Sequence, residues 1–129
     1  MEIEILRIID QESAEVHFRC RAGEARGVWR GDSPATLGTH HIEIDVPNPA
    51  QSWNSRTPTT PLIAGDPENQ NSVTTIAGTL ESLGEDAIAC IRVDQDILMI
   101  ELASGDEEPS VGTGIEIHTT AIHLYPLDL

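Results

Sequence analysis

Apolar and polar residues alternate with a period of two along most of the chain. Ile42, Ile44 and Val46 alternate with Glu43 and Asp45, the pattern of a strand with one buried face. Ala14, Val16, Phe18 and Cys20 alternate with Glu15, His17 and Arg19, and Ala87, Ala89, Ile91 and Val93 with Ile88, Cys90 and Arg92. No stretch carries the 3.6-residue period of an amphipathic helix. The pattern predicts strands over 2–10, 13–20, 24–30, 39–46, 74–83, 86–93, 96–103, 113–119 and 121–126. Turn residues separate them, as in Asp10-Gln11-Glu12, Gly84-Glu85-Asp86 and Asp94-Gln95-Asp96. Short strands joined by short polar turns predict an all-β fold of meandering hairpins, closed as a barrel or stacked as a sandwich.

The chain also matches itself. Gly31-Asp32-Ser33-Pro34-Ala35-Thr36-Leu37-Gly38-Thr39 resembles Gly105-Asp106-Glu107-Glu108-Pro109-Ser110-Val111-Gly112-Thr113. Ile42-Glu43-Ile44 and Ile115-Glu116-Ile117 follow these loops. Upstream, Glu12, Ala14 and Arg19 align with Glu85, Ala87 and Arg92, about 73 residues on. Gly38 and Gly112 suit a positive φ at strand entry, and the proline restricts the loop before them. The division that follows is a first β repeat over 1–46, a Pro-rich linker or long loop over 47–72, and a second β repeat over 73–129. The middle stretch holds five of the eight prolines and reads as neither strand nor helix. Trp53 stands out within it and is expected to dock, either on the barrel or on a partner. Halves of about 60 residues bury only about 60% of their unfolded surface and are marginal alone. With one Phe, one Tyr and two Trp in the chain, a shared core is the preferred reading.

The second half, Thr74 to Tyr125, resembles OB-like small β-barrels. The resemblance rests on its five strand-like segments and the loop before Gly112-Thr113-Gly114. It departs from that fold between the third and fourth strands, where only Ser104 to Ser110 stand. The fold class is therefore a duplicated four-to-five-stranded meander forming one barrel or sandwich with a shared core, or two tandem OB-like barrels. The resemblance implies oligonucleotide or oligosaccharide binding, although fold does not carry function.

Composition argues against the nucleic-acid half of that implication. The 129 residues hold 22 Asp and Glu against 7 basic residues, all Arg, for a formal net charge of -15. Such a surface repels a phosphate backbone, and few aromatic platforms are present for stacking. The acidic residues are spread over strand faces and turns in both halves, which assigns them to a folded surface. The absence of Lys suits a saline interior, where screening relieves self-repulsion. No apolar run approaches a membrane span and no signal-peptide pattern opens the chain, so a cytoplasmic location is expected. Cys20 and Cys90 lie in strand-like runs and read as buried thiols rather than a disulfide framework.

Candidate chemistry is sparse. No Gly-x-Ser-x-Gly elbow, phosphate-binding loop or dinucleotide fingerprint occurs, and no nucleophilic triad can be assembled from spacing alone. His41, Glu43 and Asp45 share the polar face of one predicted strand, and Glu116 and His118 that of another. If the halves pack side by side, this imidazole–carboxylate set could hold a divalent metal; otherwise no cofactor is expected. A phase change near Thr119-Thr120-Ala121 predicts a bulge or turn and brings His123 to the polar side as well. Arg26, Val28 and Arg30 share one strand face and Trp29 the other, so Trp29 is expected in the core. Arg26 and Arg30 would either neutralise Glu15 or Glu24 across a hairpin or contact an anionic partner. The expected function is a non-enzymatic small β-barrel interaction module whose acidic surface binds another protein, with Trp53, Arg26 and Arg30 as partner contacts. Self-assembly into a structural oligomer and metal-dependent activity are the alternatives.

Overall fold

The computed structural model describes residues 1–50, 52–56, 60–69, 71–103 and 108–127. Alternation becomes strands throughout: β1 (Glu2–Asp10), β2 (Glu15–Cys20), β3 (Gly23–Trp29), β4 (Gly38–Asp45), β5 (Ser52–Arg56), β6 (Leu62–Ala64), β7 (Thr74–Leu83), β8 (Ile88–Val93), β9 (Asp96–Glu101), β10 (Gly114–Thr119) and β11 (His123–Pro126). Each strand predicted from the pattern is present, its ends within two residues. The fold is all-β, and among the described residues no helix is long and apolar enough to cross a membrane.

β1, β2, β3, β11 and β4 close into a five-stranded barrel, while β5, β10, β7, β8 and β9 form a second sheet, with β6 added along β7. The pairing diagram is written twice. β1 pairs with β2 through a register shift and with β4 antiparallel, and β7 does the same with β8 and β10. Local geometry repeats with it. Ala14 and Ala87 adopt positive φ values of 58° and 63° where their hairpins end. Their carbonyls accept from Trp29 N at 2.8 Å and Leu102 N at 3.0 Å. Gly38 and Gly112 have φ of 107° and 89°, the left-handed geometry expected at strand entry. Residues 104–107 of the acidic loop before Gly112 lie outside the described residues.

Two expectations are corrected. The stretch 47–72 is not merely a linker, because it contributes β5 and β6. Polar Ser52-Trp53-Asn54-Ser55 and the three-residue β6 carry no alternation to detect; their neighbours on either side supply the order. Second, the segment predicted over 121–126 does not close its own repeat. β11 leaves the second sheet and inserts between β3 and β4, parallel to the former and antiparallel to the latter. Reciprocally, β5 follows β4 in the chain but pairs with β10. Just before β5, Ala50 forms an isolated parallel bridge with Leu102, bonded through Ala50 N to Glu101 O at 2.8 Å. Each half is thus completed by a strand from the other. The change of phase at Thr119-Thr120-Ala121 is the crossing point, where Thr119 Oγ1 and Ala121 share hydrogen bonds.

β6 ties the two sheets together. It pairs with β7, and Ile63 N donates to Ala22 O while Gly65 N donates to Glu24 O. Gly23 permits this approach: its φ is 142°, and a Cβ there would stand 2.3 Å from Ile63 O. The buried side chains of both sheets form one apolar cluster, including Phe18, Ile42 and Leu124 from the barrel and Ile76, Ile91 and Ile117 from the second sheet. Non-directional burial of this kind is the main source of stability.

Candidate functional site

The β3–β4 connection and β11 enclose an open groove of about 530 Å³ on the barrel. Trp29 ends β3 with its ring 8% exposed, fixed by a 2.9 Å bond from Nε1 to Ser33 O. His40 on β4 meets it edge-on, with centroids 5.1 Å apart. Its Nε2 is 2.8 Å from Thr36 O, so the same loop is held at both ends. Pro34, Pro126 and Tyr125 complete the walls, with Tyr125 38% exposed.

Arg30 stands in this groove. Arg7, Arg19, Arg21, Arg26 and Arg92 are paired with Glu68, Glu4, Asp94, Glu15 and Glu81. Among the arginines whose side chains are described, Arg30 alone has no carboxylate partner. Its charge acts on His123: burial first, then repulsion from Arg30, hold that imidazole below its ordinary value, against the pull of Asp45. The groove therefore offers a cation without an ion-pair partner beside indole, imidazole and phenol surfaces, with the Asp32 carboxylate also in its lining.

Arg26 has the structural role instead. Its guanidinium is 3.0 Å from Glu15 Oε1 through both Nε and Nη2, and Nη1 donates to Pro67 O at 3.2 Å. The Arg26 and Ser13 hydrogen bonds hold the Glu15 carboxyl below its ordinary value, outweighing burial. Arg26 thereby clamps the segment after β6 onto the outer face of β2 and β3, aided by Arg7 and Glu68. Beneath this cover His17 Nε2 is buried without a hydrogen bond, although Glu24 Oε2 is 3.4 Å away. Trp53 lies on β5 opposite Ile117, half-buried against the core.

The histidine and carboxylate residues do not converge. His41, Glu43 and Asp45 lie exposed on β4 of the barrel, with His41 Nε2 3.9 Å from Glu2 Oε2. Glu116 and His118 lie on β10 of the second sheet. Among the described residues, no three His, Cys, Asp or Glu side chains gather as a metal-ligand set. What spacing alone does not reveal is a cross-strand relay: Ser52 Oγ is 2.8 Å from His118 Nδ1, and His118 Nε2 is 3.1 Å from Glu116 Oε1. β5 is one of two strands, with β6, that sequence reading missed, so Ser52 had no register against His118 until the fold supplied it. Ser52 is exposed, and none of the grooves described is lined by it.

A smaller groove of about 200 Å³ lies between the β2–β3 and β8–β9 turns, lined by Cys20, Arg21, Asp94 and Asp96. Burial pushes the Cys20 thiol up, against the pull of the Ala22 and Gly23 amides. Such a thiol stays protonated and is a poor nucleophile. Both cysteines are free and half-buried. No protein-family model matches the chain, and no curated protein or solved structure matches it either.

Proposed function

We propose that the protein is a non-enzymatic binding module that docks a second protein in the groove between the β3–β4 loop and β11. The observation that carries this reading is Arg30, unpaired on a surface of net charge -15 and set beside Trp29 and Tyr125. Arg, Trp and Tyr are the residue types that dominate binding energy at protein interfaces, especially where a pocket excludes water around them. Arg30 would take a carboxylate or backbone carbonyl of the partner, and Tyr125 an apolar side chain. The acidic surface around the groove favours a partner that is basic overall, with fast, salt-sensitive association. The five-stranded barrel is made by β1 to β4 and β11 rather than by residues 74–126, where the OB-like resemblance lies, and the charge disfavours the nucleic-acid ligands common among small barrels. Free thiols in both sheets support a reducing, cytoplasmic setting.

The test is affinity capture with the intact protein, Arg30→Ala and Tyr125→Ala. One protein held by the intact form and lost from both variants is expected, with capture falling as salt rises. An identical set of proteins on all three baits would overturn the proposal.

A further inference from the structure

The two halves repeat their strand pairing but not the character of their outer faces. On the barrel, β2 and β3 present three cross-strand pairs: Glu15 with Val28, His17 with Arg26, and Arg19 with Glu24. These positions are mostly charged, and their middle is roofed by the segment after β6, through Pro67 O and Gly65 N. At the equivalent places β8 and β9 present Ile88 with Glu101, Cys90 with Met99, and Arg92 with Ile97. Here the middle is apolar, and Ile97 and Met99 are 51% and 65% exposed. Ala89, Ile91 and Val93, and Leu98 and Ile100, already fill the inner face, so no core demand explains the outer residues.

Isoleucine and methionine where the sister face carries Glu24 and Arg26 mark a surface meant to be covered. The ends of the patch indicate by what. Arg92 stands at one end of β8 and Glu101 at the opposite end of β9. Consider a two-fold axis lying in the interface, running across the strands through the Cys90–Met99 pair. It stacks Met99 on Met99 and Cys90 on Cys90. It also sets each Arg92 beside the Glu101 of the other copy. The patch thus meets itself in register, and each Arg92, already paired with its own Glu81, gains the Glu101 of the other copy, as an isologous contact requires. We propose that the outer face of β8 and β9 is a homodimer interface, with a second copy of this chain as its occupant. The face is distinct from the Arg30 groove, so the dimer presents two grooves rather than consuming one.

The test is sedimentation of the full chain from micromolar to millimolar concentration at about 0.15 M salt. A concentration-dependent monomer–dimer equilibrium is expected, weak because the patch is small. Met99→Glu places two carboxylates on the axis and should weaken dimerisation at least about tenfold. Glu101→Arg should weaken it by setting an arginine beside Arg92 of the other copy, while Arg92 itself is left unchanged because it also holds Glu81. A short bis-maleimide should cross-link the intact protein and Cys20→Ser, but not Cys90→Ser. Met99 and Glu101 are exposed and Cys90 half-buried, and circular dichroism checks that each variant is folded. A protein monomeric throughout the range overturns the proposal. So does a dimer that survives Met99→Glu and cross-links without Cys90.

Discussion

Truncating one side chain in β11 tests whether the exchanged strands make the two halves a single cooperative unit. Leu124 is the buried residue of this four-residue strand, with no exposure, and it lies over Gly27 beside Phe18. Leu124→Ala removes its packing and leaves a cavity in the barrel, for a loss of about 3 kcal/mol. Unfolding entropies near 2.1 cal/mol/K per residue amount to roughly 0.27 kcal/mol/K for this chain, so Tm should fall by about 11 °C. The two tryptophans report on the two halves separately: Trp29 sits in the barrel and Trp53 in the second sheet. Thermal melts followed by fluorescence in Trp53→Phe and Trp29→Phe backgrounds therefore isolate each half. Both probes should shift together when Leu124→Ala is added, because β5 and β11 bind each half to the other. A downward shift of the Trp29 signal alone, with the Trp53 transition unmoved, would refute the reasoning.

Arg30→Ala should raise the His123 pKa part of the way towards 6.5, leaving the share due to burial, as read by NMR titration of the imidazole. Glu15 is held below 4.5, so its contribution to stability is present above that value and is lost as pH falls through the lower folded value. His123 acts in the same direction from 6.5 downwards, because the unfolded chain takes up its proton first. Denaturation of Glu15→Gln should accordingly show a flatter acid limb than the intact protein, and an unchanged limb would contradict the Arg26 clamp. Fluorophosphonate probes should leave Ser52 unlabelled despite the His118 relay, since the serine lies on an open strand; stoichiometric labelling lost in His118→Ala would overturn the non-enzymatic reading. Tm should rise from low salt to about 1 M as self-repulsion among the excess carboxylates is screened, and a flat or falling trend would count against that account of the charge.

Alternation revealed every strand that has one wet and one dry face. It failed for β5, whose polar residues are held by β10 and by the half-burial of Trp53, and for β6, too short to show a period. Gly38 and Gly112, which the self-match aligned, both have positive φ, and β1–β2 and β7–β8 both pair antiparallel. The self-match could not foresee that β11 would close the barrel instead of staying with the second sheet, because the strand pattern alone does not say which sheet a strand joins. The site followed the same division. Trp29 as a core residue and the pairing of Arg26 with Glu15 across the hairpin were readable from strand phase. The isolation of Arg30 was not, since it depends on where every carboxylate lies in space. The His41 and His118 sets share a pattern but stand on different sheets, and pattern carries no distance.

The reciprocal placement of β5 and β11 also orders events during synthesis on the ribosome. The strands β1 to β4 emerge first, yet the gap between β3 and β4 stays open until residues 123–126 have left the exit tunnel. Through that interval the nascent chain carries two unsatisfied strand edges beside a hydrophobic interior, the condition that invites pairing with neighbours. Polar loops and the net charge of -15 would keep such neighbours apart while the chain waits for β11.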